Sequence, residues 1–206
     1  LHEYALKVSR KSPFFMLSLS LQALNFAQLA RDYTVIADSY RICGVAYSYL
    51  SEFAKALQQF KHALVYYQKA NSNKGRASVI RNLGALYQEM GQYEIALEYL
   101  LESLEICQQI GDLDGLASNL VNTARIYYIL HDNAKALEYY NQVLEYAEKN
   151  DNKDYYSIAL GNIGLIHARD GNYEEAIECH LQSLRLKREI GNLLGEASEL
   201  ANLGIE

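Results

Sequence analysis

The sequence is poor in several features that would have signalled other classes of protein. It has one proline (Pro13) and no tryptophan in 206 residues. No stretch approaches 18 consecutive apolar residues, so nothing reads as a membrane-spanning helix. The most apolar run, Phe14 to Leu21, is broken by Ser18 and Ser20 and followed by Gln22 and Asn25. Basic residues number 19 against 25 acidic, a net charge of −6, which argues against the basic footprint of a nucleic-acid binder. The three cysteines, Cys43, Cys107 and Cys179, are far apart, odd in number and free of any CxxC pair. Buried or half-buried thiols in a reducing, cytoplasmic compartment are expected. No phosphate-binding glycine loop, metal-ligand spacing or nucleophile elbow occurs, so neither an enzyme nor a bound cofactor is expected.

What the sequence does have is repetition. Half of it is apolar and about a fifth charged, the balance of a folded chain, with 18 tyrosines against 5 phenylalanines. Tyrosine packs its ring and keeps its hydroxyl wet, which suits thin two-layer units. Asn82-Leu83-Gly84-Ala85-Leu86-Tyr87 returns forty positions on as Asn122-Thr123-Ala124-Arg125-Ile126-Tyr127 and again as Asn162-Ile163-Gly164-Leu165-Ile166-His167; Ile42 to Tyr47 is a weaker leading copy. A fixed period of this size denotes a stacked array. One column is small: Gly44, Gly84, Ala124 and Gly164, with Gly204 opening a further copy. It marks a close approach of two backbones. Three residues later come Tyr47, Tyr87, Tyr127 and His167. A second small column is Ala56, Ala96, Ala136 and Ala176, with Met16 as a degenerate copy, and eight positions after each lies a leucine: Leu24, Leu64, Leu104, Leu144, Leu184.

Within a copy the apolar spacing is helical. Ile80, Leu83, Tyr87 and Met90 fall on one face, and Tyr93, Leu97, Leu100, Leu104 and Cys107 follow after a break. The breaks are Gly91-Gln92, with equivalents Ser51-Glu52, His131-Asp132 and Gly171-Asn172, and the Asp/Asn/Gly stretches near 71–74, 111–114, 151–154 and 191–192. The pattern predicts first helices near 35–50, 75–90, 115–130, 155–169 and from 195. Second helices are predicted near 53–70, 93–110, 133–149 and 173–190. A helix over 14–30, with Pro13 in its first turn, would be the second helix of a partial leading unit whose first helix survives in residues 1–10.

These columns resemble the tetratricopeptide repeat, carried by Leu83-Gly84-x-x-Tyr87, Gly91-x-Tyr93 and Ala96. Two features depart from that family: the period is 40 where about 34 is usual, and the proline that often closes the second helix is absent. The lengthened form, with linkers such as Gly111-Asp112-Leu113-Asp114-Gly115, is similar to the repeats of kinesin light chain and of LGN/Pins-type adaptors. It is also similar to arrays that precede output domains in bacterial cyclases and histidine kinases. The resemblance implies an all-α, right-handed solenoid of antiparallel helix pairs spanning residues 1–206. Its divisions would be a partial unit 1–34, repeats 35–74, 75–114, 115–154 and 155–194, and the start of another at 195–206. It further implies a protein-interaction scaffold whose first helices line a concave face. The alternative is a regulatory or oligomerisation segment of a larger signalling protein.

On that face the residues to weigh are Asn82, Asn122, Asn162 and Asn202. Asparagine is disfavoured inside helices, and a ladder of carboxamides can clamp an extended peptide backbone; bonds to neighbouring helices that hold the stack are the competing explanation. First helices also carry Arg41, Arg81, Arg125 and Arg169, opposed by Asp38 and Glu89. Second helices carry Glu94, Glu98, Glu102, Glu105, Glu174, Glu175 and Glu178. An acidic peptide or protein is the partner this charge distribution favours. The chaperone-type carboxylate clamp would need asparagine where Val45, Ala85, Arg125 and Leu165 stand, so that specificity is not expected. His167, Cys179 and His180 form the best metal-like cluster, but adjacent helix positions diverge by about 100°, and packed neutral histidines are the expectation. The chain starts inside one unit and stops early in another; a terminal helix with an uncovered apolar face, available for self-association, is expected there.

Overall fold

The computed structural model describes residues 12–204. Among them are ten helices and no strand: α1 (Pro13–Ala30), α2 (Tyr33–Tyr49), α3 (Phe53–Lys69), α4 (Asn73–Glu89), α5 (Tyr93–Ile110), α6 (Leu113–Ile129), α7 (Asn133–Lys149), α8 (Lys153–Asp170), α9 (Tyr173–Glu189) and α10 (Leu193–Asn202). The expected second helices lie within a residue of their predicted limits. The first helices begin two residues earlier than predicted. The cause is the caps: Asp32 Oδ1 accepts from the amides of Thr34 and Val35, Ser72 Oγ from Gly75, Asn152 Oδ1 from Tyr155 and Asn192 Oδ1 from Gly195, so each helix starts immediately after its cap. Gly115 and Gly195 therefore sit in first turns and not in linkers, and Gly75 lies inside its first turn. The helix expected over residues 1–10 lies outside the described residues.

The breaks work as the sequence implies. Gly91, Gly111, Gly171 and Gly191 have φ between +68° and +84°, and Ser51, Asn71, His131 and Asp151 take the same left-handed position with φ of +50° to +62°. A left-handed residue ends each helix and returns the chain antiparallel after about three residues.

The chain divides into two compact units, Leu1–Gly115 and Leu116–Glu206. In the first, Ala56, Phe60, Ala63, Tyr67, Val79, Leu83 and Leu86 form a buried core, and α1 packs on α2 through Met16, Leu24 and Ala27. The small column has a direct cause. A Cβ added at Gly44 would lie 2.5 Å from the Phe60 ring, and one at Gly84 2.8 Å from Leu100 Cγ and 3.1 Å from the Ala96 carbonyl. In the second unit a Cβ at Gly164 would lie 2.9 Å from the His180 ring, so the rule is the same. Gly204 departs from its column: it follows the end of α10 with φ +69° and is a turn residue, so no close approach occurs there. The tyrosine column stacks on second helices, Tyr87 on Tyr99 at 5.3 Å in the first unit and Tyr127 on Tyr139 at 5.6 Å in the second. Offset ring pairs at such spacings add to the area they bury. Ser103 Oγ donates to the Ala77 carbonyl and Ser183 Oγ to the Ser157 carbonyl, both at 2.8 Å, which ties each second helix to its own first helix.

Candidate functional site

In the first unit a cleft of about 140 Å³ opens between successive first helices. Val45, Ser48 and Tyr49 of α2 form one wall, Asn82, Ala85, Leu86 and Glu89 of α4 the other, and Phe60 of α3 closes it. The positions follow from helical geometry, because 82, 85, 86 and 89 are spaced at three and four residues and share one face. Asn82 is half-buried, and its Nδ2 is buried without a hydrogen-bond partner. An amide N–H out of water and unbonded costs free energy that an arriving carbonyl would recover.

The other asparagines stand differently. Asn162 Nδ2 donates to the Ile158 carbonyl of its own helix at 2.7 Å, and Asn202 Nδ2 lies 3.5 Å from Glu199 Oε2. Asn122 is half-buried on α6. The bonds shown for Asn162 and Asn202 stay within their own helices.

The arginines stand in different surroundings. Arg41 is half-buried; its Nε donates to Tyr67 Oη at 3.3 Å and a terminal nitrogen to Asp38 Oδ1 at 3.2 Å, while Tyr67 Oη donates to the same carboxylate at 2.6 Å. Burial pushes the Tyr67 hydroxyl above its usual range despite the Arg41 charge, so it stays a donor. Arg169, in the second unit, lies 3.7 Å over the Tyr128 ring, donates to the Tyr128 carbonyl at 2.7 Å and also contacts Asn133 Oδ1. A guanidinium over a ring face is attracted by the ring's negative centre. Arg81 is half-buried and Arg125 exposed. Glu94, Glu98, Glu102, Glu105, Glu174, Glu175 and Glu178 line the second helices, and Glu94, Glu174 and Glu175 stand in first turns.

All three thiols are free, Cys43 and Cys107 buried and Cys179 half-buried. Burial pushes the Cys43 thiol up to about 11. His167 is half-buried. His180 is buried, as expected of a packed ring, but its Nδ1 lies 2.7 Å from the carboxylate of Glu199, a partner that reading the repeat columns did not foresee. No group of three His, Cys, Asp or Glu among the described residues is placed to hold a metal ion, and no described helix is long and apolar enough to cross a membrane.

Sequence reasoning also missed Ser48 and Tyr49 in the cleft and Tyr67 as the partner of Arg41. Tyr49 could have been found by taking the face that runs three, four and seven residues from position 42, as Ala85, Leu86 and Glu89 run from Asn82; Ser48 lies off that pattern.

Stacked antiparallel helix pairs repeating every forty residues define an α-solenoid repeat protein. Models of the tetratricopeptide repeat match residues 75–149 and 159–194, and the chain belongs to that family. No curated protein sequence matches it. Among solved structures it is similar to a signal transduction ATPase with numerous domains bearing a tetratricopeptide repeat sensor, from Pyrococcus horikoshii: TM-score 0.79, 22% identity, 97% of this chain and 31% of that one. It is similar to a Rap protein complexed with competence and sporulation factor, with TM-score 0.71 and 15% identity over 98% of this chain and 62% of that one. A third is a putative kinesin light chain of nearly identical repeats from Podospora anserina, with TM-score 0.64 and 17% identity over 92% of this chain and 94% of that one. These likenesses show the all-α solenoid fold. The chain spans less than two thirds of two of these three structures.

Proposed function

We propose that the chain is a protein-interaction scaffold that holds an extended peptide in the clefts between its first helices. The observation that carries this is Asn82, which lines an open cleft in the first unit and whose Nδ2 is buried and unbonded. A peptide carbonyl there supplies the missing acceptor, and Val45 and Ala85 leave room for backbone by being small or slender. Within the second unit, taken by itself, Asn122, Asn162 and Asn202 are assigned the same role, Asn162 exchanging its bond to Ile158 for one to the ligand. The first-helix arginines Arg41, Arg81, Arg125 and Arg169 favour an acidic ligand; Arg41 shares its charge with Asp38, and Arg169 with the face of Tyr128. The Rap structure complexed with competence and sporulation factor supports reading the solenoid as a cradle for a bound partner, and a non-enzymatic role follows from the same reading.

The second reading, a sensor or regulatory segment of a larger signalling protein, is favoured by one observation: 97% of the chain aligns with only 31% of the multidomain ATPase it resembles. The two readings are compatible, since a sensor also binds.

The test is a displayed random-peptide library selected on the full chain, with the enriched pool then measured against Asn82→Ala and against Asn122→Ala/Asn162→Ala. At least a tenfold loss of binding with unchanged helicity and Tm is expected. Undiminished binding by both variants overturns the proposal.

A further inference from the structure

Helix α10 is held through a buried carboxylate. Leu193 and Leu194 are 77% and 65% exposed, and the single residue of the helix that is buried is a carboxylate, Glu199, at 2% exposure. Its Oε2 meets His180 Nδ1 at 2.7 Å; its Oε1 accepts from Ser183 Oγ at 2.9 Å and from Lys187 Nζ. All three of these partners are on α9 and buried themselves. On α8, a Cβ added at Gly161 would collide with Glu199 Oε1. Asn202 on α10 itself lies at the edge of the same carboxylate.

The repeat shows that this is a set of matched departures. Position 161 is glycine where earlier copies have Arg41, Arg81 and Val121. Position 180 is histidine where they have Phe60, Leu100 and Tyr140, and position 187 is lysine where they have Tyr67, Cys107 and Ala147. Position 199 is glutamate where they have Ser39, Val79, Asn119 and Ala159. A lysine ammonium and an imidazole would be stranded in buried surroundings if any other first helix of the chain docked on α8 and α9.

We infer that α10 is a charge-latched helix: α8 and α9 form a socket for one helix-borne carboxylate, and Glu199 of the same chain fills it, so that the docking of this helix depends on that carboxylate. The device works as a register key, admitting only a helix with an acid at this position, and as a release point. Freeing Glu199 uncovers Lys187 and His180 and removes α10, with Asn202, from the second unit.

Amide hydrogen exchange on the full chain tests this. Glu199→Gln, nearly isosteric and uncharged, is expected to speed exchange in residues 193–202 by tenfold or more while α2 to α5 stay unchanged. Gly161→Ala, which leaves every charge in place and fills the space of Oε1, is expected to release the same segment. The apolar pair Lys187→Met/Glu199→Leu, which removes the charge on both sides, is expected to restore protection relative to Glu199→Gln. Exchange within twofold of the parent in Glu199→Gln, or an equal rise throughout the chain, overturns the latch. So does wild-type protection of 193–202 that grows with protein concentration, because α10 would then be held by a second copy.

Discussion

Replacing Gly44 by alanine separates two effects of opposite sign. By helix propensity alone the change stabilises an interior position by about 1 kcal/mol. By packing it destabilises, because the new Cβ would sit 2.5 Å from Phe60 Cε1, 2.6 Å from Cδ1 and 2.9 Å from Cζ, inside contact distance of three ring atoms at once. Phe60 is 1% exposed and walled in by the first-unit core, so the ring cannot swing aside freely. Overpacking of this kind costs about 1–3 kcal/mol, so the net change is a loss of about 0–2 kcal/mol. For a chain of this size that lowers Tm by roughly 2–4 °C per kcal/mol. The cycle is completed with Phe60→Ala, which on its own costs about 3–5 kcal/mol for a buried aromatic. With the ring gone, Gly44→Ala should turn stabilising, so the two substitutions couple by about 1–3 kcal/mol. Urea unfolding followed by circular dichroism measures all four proteins. Stabilisation by Gly44→Ala in the parent, with no coupling to Phe60, would refute the view that the small column exists to seat the side chain of the paired helix.

Three further outcomes are expected. Ser51 is held at φ +58° and Gly91 at φ +74°. Ser51→Gly should therefore stabilise by about 0.5–1 kcal/mol and Gly91→Ala should cost about 1 kcal/mol; the same unfolding assay reads both signs. Tyr67 Oη is shared by Asp38 and Arg41. Removing it with Tyr67→Phe should cost about 1–2 kcal/mol in denaturant titration. The latch has a definite pH range. Burial alone would raise the Glu199 carboxyl, but the bonds from His180 and Lys187, the Lys187 charge and the Ser183 hydroxyl outweigh it and hold it at about 2, below the ordinary 4.5. A depressed carboxyl stabilises above its unfolded value and loses that stabilisation as pH falls through its folded value, so α10 should stay docked at pH 5 and be released between about 4 and 2. Exchange in residues 193–202, corrected for the intrinsic pH dependence, checks it; release centred above pH 4.5 would contradict the assignment.

Much of the fold is legible in the sequence because each column of the repeat has one local cause. Glycine at 44, 84 and 164 marks where a second-helix side chain lies flat, and left-handed residues at 51, 91, 131 and 171 mark the turns. Helix starts are less legible: Gly115 and Gly195 read as linker residues and a helix is expected only from 75, whereas the side-chain caps at Ser72 and Asn192 let helices begin ahead of Gly75 and Gly195. The asparagines can be picked out as costly in a helix, but not their individual surroundings. Whether a carboxamide bonds its own helix, as at Asn162, or is left unbonded, as at Asn82, depends on rotamers and on the neighbouring helix. The latch is legible in principle, since Gly161, His180, Lys187 and Glu199 each break a column. It escapes notice because those departures lie up to 38 positions apart and become one object only when α8, α9 and α10 come together.

The proposal that the cleft between first helices binds peptide backbone stands or falls with the asparagine of the first unit. The most direct measurement is the affinity of a library-selected peptide for Asn82→Ala and for Asn82→Asp, by titration calorimetry on the full chain. At least a tenfold loss is predicted for both, since alanine removes the buried donor and aspartate replaces it with an acceptor facing a carbonyl, with Tm within about 3 °C of the parent. Binding unchanged in both variants, with the fold intact, would contradict it.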